Sequence, residues 1–434
     1  GTGDQMKWVS PIIVFALGLA LILAPSLPAP EPEPAPGLTE PPVAVCASEE
    51  GAGRSTNLAI TSTVAGGGLV TVFAGGTTAG TGRFETGESG TVTVPVGTIS
   101  AVGEAAALVE FPTSDSAVAT VSIGSTSLSA GPCSRIPERQ TVIGGANTLE
   151  GSALHLQLMN PYATEALVDI TAFSESGREA SELLEGIIVP PRSSVIIDIG
   201  NVLPGRESLS MTLDTDRGSV VASLRADIEG ESAVWRPVAP TESWLLAAPG
   251  FSTGQRDLVI VSTLAEDVAY QVDVYGPEGL EEAVLDGVVV GRGQQVIDLS
   301  SLMEGAMAVR VVAEAPIAVF GRYSAPGALA ITDGTATTGS DWLLPGAGNV
   351  AEASTAVVIV NVGLESAEVT LTQLKDSSAT STISIGPGEV FETALDGGLL
   401  DGVAIVSDGE LVPVWLTRWG AALALSGGVR IGSE

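Results

Sequence analysis

This sequence predicts an all-β chain: four tandem immunoglobulin-like β-sandwich repeats of about 100 residues, following an N-terminal transmembrane helix and a Pro-rich linker. Three observations predict it. Glycine (53) and proline (26) punctuate 434 residues whose apolar stretches are short and rich in Val, Ile and Thr. A strand motif recurs with its closing polar residue at positions 62, 160, 262 and 361. One long apolar run stands near the N-terminus and leads directly into proline-rich sequence.

Ile12–Ala24 is 13 consecutive apolar or glycine residues, and 17 counted from Trp8, the lower limit for crossing about 30 Å of hydrocarbon. A signal-peptide core has a similar length. No Ala-x-Ala follows, and the nearest small-residue site, Leu27-Pro28-Ala29, is blocked by Pro30, which favours an uncleaved anchor. Lys7 precedes the run and acidic sequence follows it, so the positive-inside rule puts the short end in the cytoplasm and the bulk outside the membrane. Cys46 lies some twenty residues beyond the run and is preceded by Val45, which argues against lipidation. Pro25–Pro42 carries eight prolines in 18 residues, a composition that favours a stiff polyproline spacer over helix or sheet.

The repeat begins with Leu58–Ser62, Leu156–Asn160, Leu258–Ser262 and Val357–Asn361. An alternating strand follows in each copy: Leu69–Phe73, Leu167–Phe173, Val268–Tyr275 and Val369–Leu374. Next comes a strand-turn-strand segment, seen at Ile187–Asp198, Val288–Asp298 and Ile383–Phe391. Arg225, Arg322 and Arg418 stand at matching late places, and Asp198 and Asp298 recur, so an Asp–Arg tie inside each sandwich is one expectation. A period this long is a domain rather than a solenoid turn or a single blade, although a propeller with irregular blades is the rival architecture. The expected organisation is a cytoplasmic end (1–7), an anchor or uncleaved signal (8–24), a linker (25–45) and sandwiches at 46–140, 141–242, 243–340 and 341–434. Trp244 and Trp342 sit in the apolar tetrads Ser243–Leu246 and Asp341–Leu344, where packing at a domain joint is favoured over sugar stacking.

Cys46 and Cys133 bracket the first repeat, at places near those that tryptophans hold in later copies. One structural disulfide joining the entry and exit segments is expected, consistent with an oxidising compartment. Lys and Arg total 18 against 51 Asp and Glu, a formal net charge of -33, which repels nucleic-acid phosphates. The single histidine, His155, alternates with Gln157 on the face opposite Leu154, Leu156 and Leu158, and is expected to be solvated. No GxSxG, phosphate-loop lysine or metal motif is present, and Asp214–Gly218 reads as a hairpin turn rather than a calcium loop. No cofactor, metal or catalytic residue is assigned, and the chain is expected not to be an enzyme.

The anchor at Ile12–Ala24, the spacer at Pro25–Pro42 and units such as Leu158-Met159-Asn160-Pro161 followed by Val189-Pro190-Pro191-Arg192-Ser193-Ser194 resemble an actinobacterial family of unknown function, made of membrane-tethered or secreted β-repeat envelope proteins. The resemblance implies an envelope role, near surface-polysaccharide assembly, and brings no active residues with it. The expected function is a membrane-anchored extracytoplasmic scaffold or binding protein of the cell envelope, its tandem units projecting loops at fixed spacing toward envelope proteins or polysaccharide. A glycan-binding or adhesive role is the alternative, with Trp235, Trp415, Trp419, Tyr270, Tyr275 and Tyr323 as candidate contacts beside carboxylates. A glycoside hydrolase using two carboxylates is the third reading.

Overall fold

The Val/Ile/Thr segments form antiparallel strands, as their branched side chains and period-two burial require. The computed structural model describes residues 43–431 except 50–52, 88–89, 102, 112–114, 136, 229, 252–253, 302–304, 347–349, 351, 375–378 and 396–401. The expected anchor at 8–24, the cytoplasmic end at 1–7 and the linker up to residue 42 lie outside the described residues. Among the described residues no helix is long and apolar enough to cross a membrane.

The first eight strands are β1 (Val43–Glu49), β2 (Ser55–Ser62), β3 (Gly66–Ala74), β4 (Thr77–Thr86), β5 (Gly90–Pro95), β6 (Glu104–Glu110), β7 (Ser116–Ile123) and β8 (Leu128–Pro132). They make two four-stranded sheets, a first sheet in the order β1-β6-β3-β4 and a second in the order β5-β2-β7-β8. Val43–Val45, assigned from sequence to the linker, are already paired with Leu108–Glu110.

The same pairing order recurs along the chain. Gln140–Ala146, Leu209–Arg217 and Ala166–Ser174 pair as β1, β6 and β3 do, and Ser193–Asp198, Ser152–Asn160, Val221–Ile228 and Glu231–Trp235 pair as the second sheet does. From Thr241 and again from Gly339 the counterparts of β6 and β7 are fused into one strand, Gly305–Ala325 and Val403–Trp419, which passes from the first sheet to the second. The chain is therefore all-β, with several sheets in sandwich-like pairs.

The repeated polar residue that closes each first strand is buried, and it staples the following loop. Asn160 donates to Thr164 O and Val189 O and accepts from the Tyr162 amide. Asn361 makes the equivalent set with Glu365 O, Ile385 O and the Gly363 amide. Ser62 bonds Val64 O, and Ser262 accepts from the Leu264 amide. The sequence repeat thus records a requirement of buried backbone groups for partners.

The first sheet of each unit packs on the second sheet of the next. Val45 and Ala106 of the first unit meet Met159 and Val221 of the second, and Gln157 donates to Ala105 O at 2.6 Å. In the next contact, Ser210 donates to Gln294, which returns a hydrogen bond to Ser208 O. Val358, Val360, Val412 and Val414 of the fourth unit join the cluster that fills the second and third. The series then closes on itself, because Leu343 and Leu374 of the fourth unit pack on Ala117 of the first, and the Gly402 amide donates to Thr91 Oγ1.

The central second-sheet strands, Ser55–Ser62, Ser152–Asn160, Gln255–Ser262 and Ser354–Asn361, are accordingly buried on both faces over most of their length. Leu58 and Ile60 point into the first unit's own core, whereas Ala59 between them joins the fourth unit's cluster. β8 and its counterparts Glu231–Trp235, Ala328–Asp333 and Ala422–Gly427 pack against one another in cyclic order about the axis. Small residues make that approach feasible: a Cβ on Gly131 would lie 2.7 Å from Val234 O. Closure replaces the expected projecting array, since sheet faces that an open row would expose are covered by neighbours. A propeller shares such closure, but here the first two units each carry two separate sheets, and in the later ones the fused strand joins the pair.

Cys46 and Cys133 form the expected disulfide, with Cα atoms 4.7 Å apart, tying β1 to the segment leaving β8. Cys46 stands opposite Ala107, as Trp244 stands opposite Val311 and Trp342 opposite Ile405. Trp244 and Trp342 are buried and donate their indole N–H to Ile317 O and Gly339 O, so both pack rather than stack on sugars.

Candidate functional site

Five of the six candidate aromatics are in the core. Trp235 and Tyr275 are 1% exposed, Trp415 2%, Tyr270 5% and Tyr323 6%. Trp235 donates to Gly144 O, and the Tyr270 hydroxyl donates to Gln295. Period two explains why Trp419 differs. It follows Trp415 and Thr417 on one face of the strand, but it lies at the strand end, beside the turn at Gly420. Trp419 is half-buried, one side packed on the core edge and the other lining a cleft.

That cleft, of about 620 Å³, is the mouth of the axis. The turns that lead into the four axial strands surround it: Ser125 and Thr126, Gly230, Pro326 and Gly327, and Gly420 and Ala421. Gly230, Gly327 and Gly420 have φ of 90°, 81° and 61°, and this need for left-handed backbone without a Cβ keeps the rim low. Glu231 and Glu352 add carboxylates, and among the described residues no basic side chain lines the mouth. Glu352 is itself left-handed, at φ 65°, a conformation that costs a non-glycine residue about 1 kcal/mol or more.

A second cleft, of about 410 Å³, lies where the segments leaving the axial strands of the first three units converge. The axial strands start at the mouth and end at these segments, so five residues at about 3.3 Å each separate the two clefts by roughly 17 Å. Arg135, Glu138 and Arg236 line the second cleft with Thr141, Thr215 and Thr335. Arg135 lies over the Phe111 ring at 5.7 Å. Burial, then the nearby Arg236 charge, lowers its pKa, with Asp115 opposing. Desolvation raises the Glu138 pKa against the pull of Arg236. Arg236 Nε donates to Asp333 at 2.8 Å.

His155 and Gln157 are not on a solvated face. Their side of the strand is the contact with the first unit, which tandem packing has covered. The Arg225 guanidinium, which can only donate, lies 3.2 Å from His155 Nδ1, so that nitrogen is the acceptor. Arg225 also bonds Asp227, which pairs with Arg54 of the first unit.

The expected Asp–Arg ties use other aspartates. Arg322 holds Asp257, directly opposite it in register, while Asp298 caps the Ser300 amide and Asp198 caps Asn201. Arg418 stands opposite Ser354, two places along from the position matching Arg322, which Leu416 holds in the same pairing register. Asp214 accepts from Gln140 within its strand, which runs on to Arg217, and the turn to the next strand starts only at Gly218, at φ 74°. Among the described residues no group of three or more His, Cys, Asp or Glu could hold a metal ion. Sequence reasoning missed Glu231 and Glu352, which lie far apart in the chain. Its one available signal was the glycine at each turn before an axial strand, Gly124, Gly230, Gly327 and Gly420.

Residues 96–319, just over half of the chain, match a family of unknown function, DUF5719. The chain belongs to that family. The matched stretch begins within the first unit and ends inside the fused strand of the third, so its limits cut across the units. No curated protein matches. Among solved structures, a tetra-tandem repeat in the extending region of a large adhesion protein aligns at 13% identity over 90% of this chain and 100% of that one, with a TM-score of 0.11.

Proposed function

We propose that the protein is a non-enzymatic glycan-binding scaffold of the bacterial cell envelope, anchored by residues 8–24 with its bulk outside the membrane. In this reading the recurrent strand order represents four tandem immunoglobulin-like units, closed into one body that holds a single axial mouth. The observation that carries it is Trp419, the one of the six candidate aromatics that is only half-buried, lining the axial mouth beside Glu231 and Glu352. An indole face covers the apolar face of a pyranose, and carboxylates accept hydrogen bonds from its hydroxyls. The acidic surface keeps the body soluble and selects neutral or cationic polymers over anionic ones.

The test is binding of the full chain to purified neutral cell-wall polysaccharide, with Trp419→Ala as the variant. Loss of at least about tenfold in affinity is expected, the size of a central aromatic contact. Unchanged binding would remove the mouth from the account. Release of new reducing ends from the polysaccharide would instead support the two-carboxylate hydrolase. Fractionation of cells with antibody to the chain checks the anchor, and recovery in the medium contradicts it.

A further inference from the structure

We propose that the second cleft, at the far end of the axial strands, binds an oxyanion carried on a small hydroxylated ligand. The argument begins with scarcity. The chain has 18 Lys and Arg against 51 Asp and Glu, yet this cleft brings Arg135 and Arg236 close enough for each charge to act on the other. Burial and the Arg236 charge outweigh the opposing pull of Asp115 on Arg135, and Arg236 is paired with Asp333, so a bound anion adds counter-charge where desolvation is felt most.

The groups present suit that task. A guanidinium offers five donors in a planar fork that matches carboxylate or phosphate, and Arg236 spends its Nε on Asp333. Arg135 is braced over Phe111, which limits the side-chain entropy lost on binding. Thr215 and Thr335 supply hydroxyls that can donate or accept, and Trp244 forms an apolar wall. Glu138 faces the same space, and its desolvated carboxylate is the group an incoming anion must compete with. At 0.1 M salt the Debye length is about 10 Å, so the acidic surface beyond the cleft repels an anion only weakly once it has entered.

The site is chemically distinct from the mouth, which among the described residues has carboxylates and no basic side chain, and it does not depend on the proposed glycan. Calorimetric titration of the full chain with glucuronate and with inorganic phosphate, and with glucose as the neutral control, tests it. A dissociation constant of about 1 mM or tighter is expected for at least one anion, with no detectable binding of glucose. Glucuronate alone assigns a sugar acid, and phosphate alone assigns a phosphate ester.

Arg135→Gln should weaken binding about tenfold or more, and Glu138→Gln should tighten it about threefold by removing the competing charge. Both leave the Arg236–Asp333 pair in place, and unchanged circular dichroism confirms folding. Trp419→Ala should leave anion binding unaffected. No heat from either anion at about 10 mM, glucose binding as well as glucuronate, or weaker binding by Glu138→Gln overturns the proposal.

Discussion

Asn361→Ala should be among the most damaging single substitutions in this chain. The side chain is 0% exposed. Its amide nitrogen is shared among Glu365 O at 2.8 Å, Ile385 O at 3.0 Å and Gly386 O at 3.0 Å, and its oxygen accepts from the Gly363 amide at 2.9 Å. Alanine leaves two or three backbone groups without partners in a buried loop. Each such group costs about 1–3 kcal/mol, and water reaching the outer ones lowers the total, so about 3–5 kcal/mol is expected. Asn361→Ser restores the residue used at positions 62 and 262, whose hydroxyl still bonds the loop, and should cost only about 1–2 kcal/mol. Urea unfolding of both variants against the parent chain, followed by tryptophan fluorescence, measures the difference. A loss below about 1 kcal/mol for alanine, or equal losses for serine and alanine, would refute the idea that this column is kept for its hydrogen bonds.

Three further outcomes follow from the same geometry. Asp273, whose side chain is 0% exposed and paired with Arg310 at 2.7 Å, meets a burial term that raises its pKa, but the Ala283 amide, Gln271 and Arg310 outweigh it and lower the pKa overall. A lowered folded value means stability present above the ordinary carboxylate range of about 4 and lost as pH falls through the folded value. Asp273→Asn should therefore cost about 3 kcal/mol at pH 7, and the deficit should shrink below pH 3–4 in acid titrations of stability; a pH-independent deficit contradicts the assignment. Reducing Cys46–Cys133, which closes a separation of 87 residues, should lower stability by about 4–5 kcal/mol by chain-entropy reasoning, read as a fall in the urea midpoint with dithiothreitol. Gly131→Ala pushes a methyl to 2.7 Å from Val234 O between two axial strands and should cost about 1–3 kcal/mol, whereas Gly75→Ala, with nothing within 4 Å but φ of 56°, should cost about 1 kcal/mol, and equal effects would argue against tight axial packing.

Much of the strand architecture was legible because its signals are local. Alternation in Ala166–Ser174 follows from one face meeting a core, and the polar column at 62, 160, 262 and 361 follows from a loop that each copy must staple. The cysteine pair was legible because one disulfide fits two cysteines at the ends of a unit. The place of Arg418 was not, since a side chain two residues further along a strand keeps the same face, and alternation alone does not tell the two positions apart. Nor was the covering of the face that carries half-buried His155 and buried Gln157: their alternation marks a second face, and nothing local says whether water or another sheet covers it.

The order of strands, the repeat and the need for a buried partner at each loop belong to the sequence alone, because period, turn residues and hydrogen-bond demand act within a few residues. Tertiary structure decided that the fourth unit's first sheet meets the first unit's second sheet, a contact between segments more than 200 residues apart whose apolar faces are mutually interchangeable in sequence. Five candidate contact aromatics lie in the core, while the packing of units around the axis left Trp419 at an opening and drew Glu231, Glu352 and the two arginines of the far cleft into sites no single repeat contains.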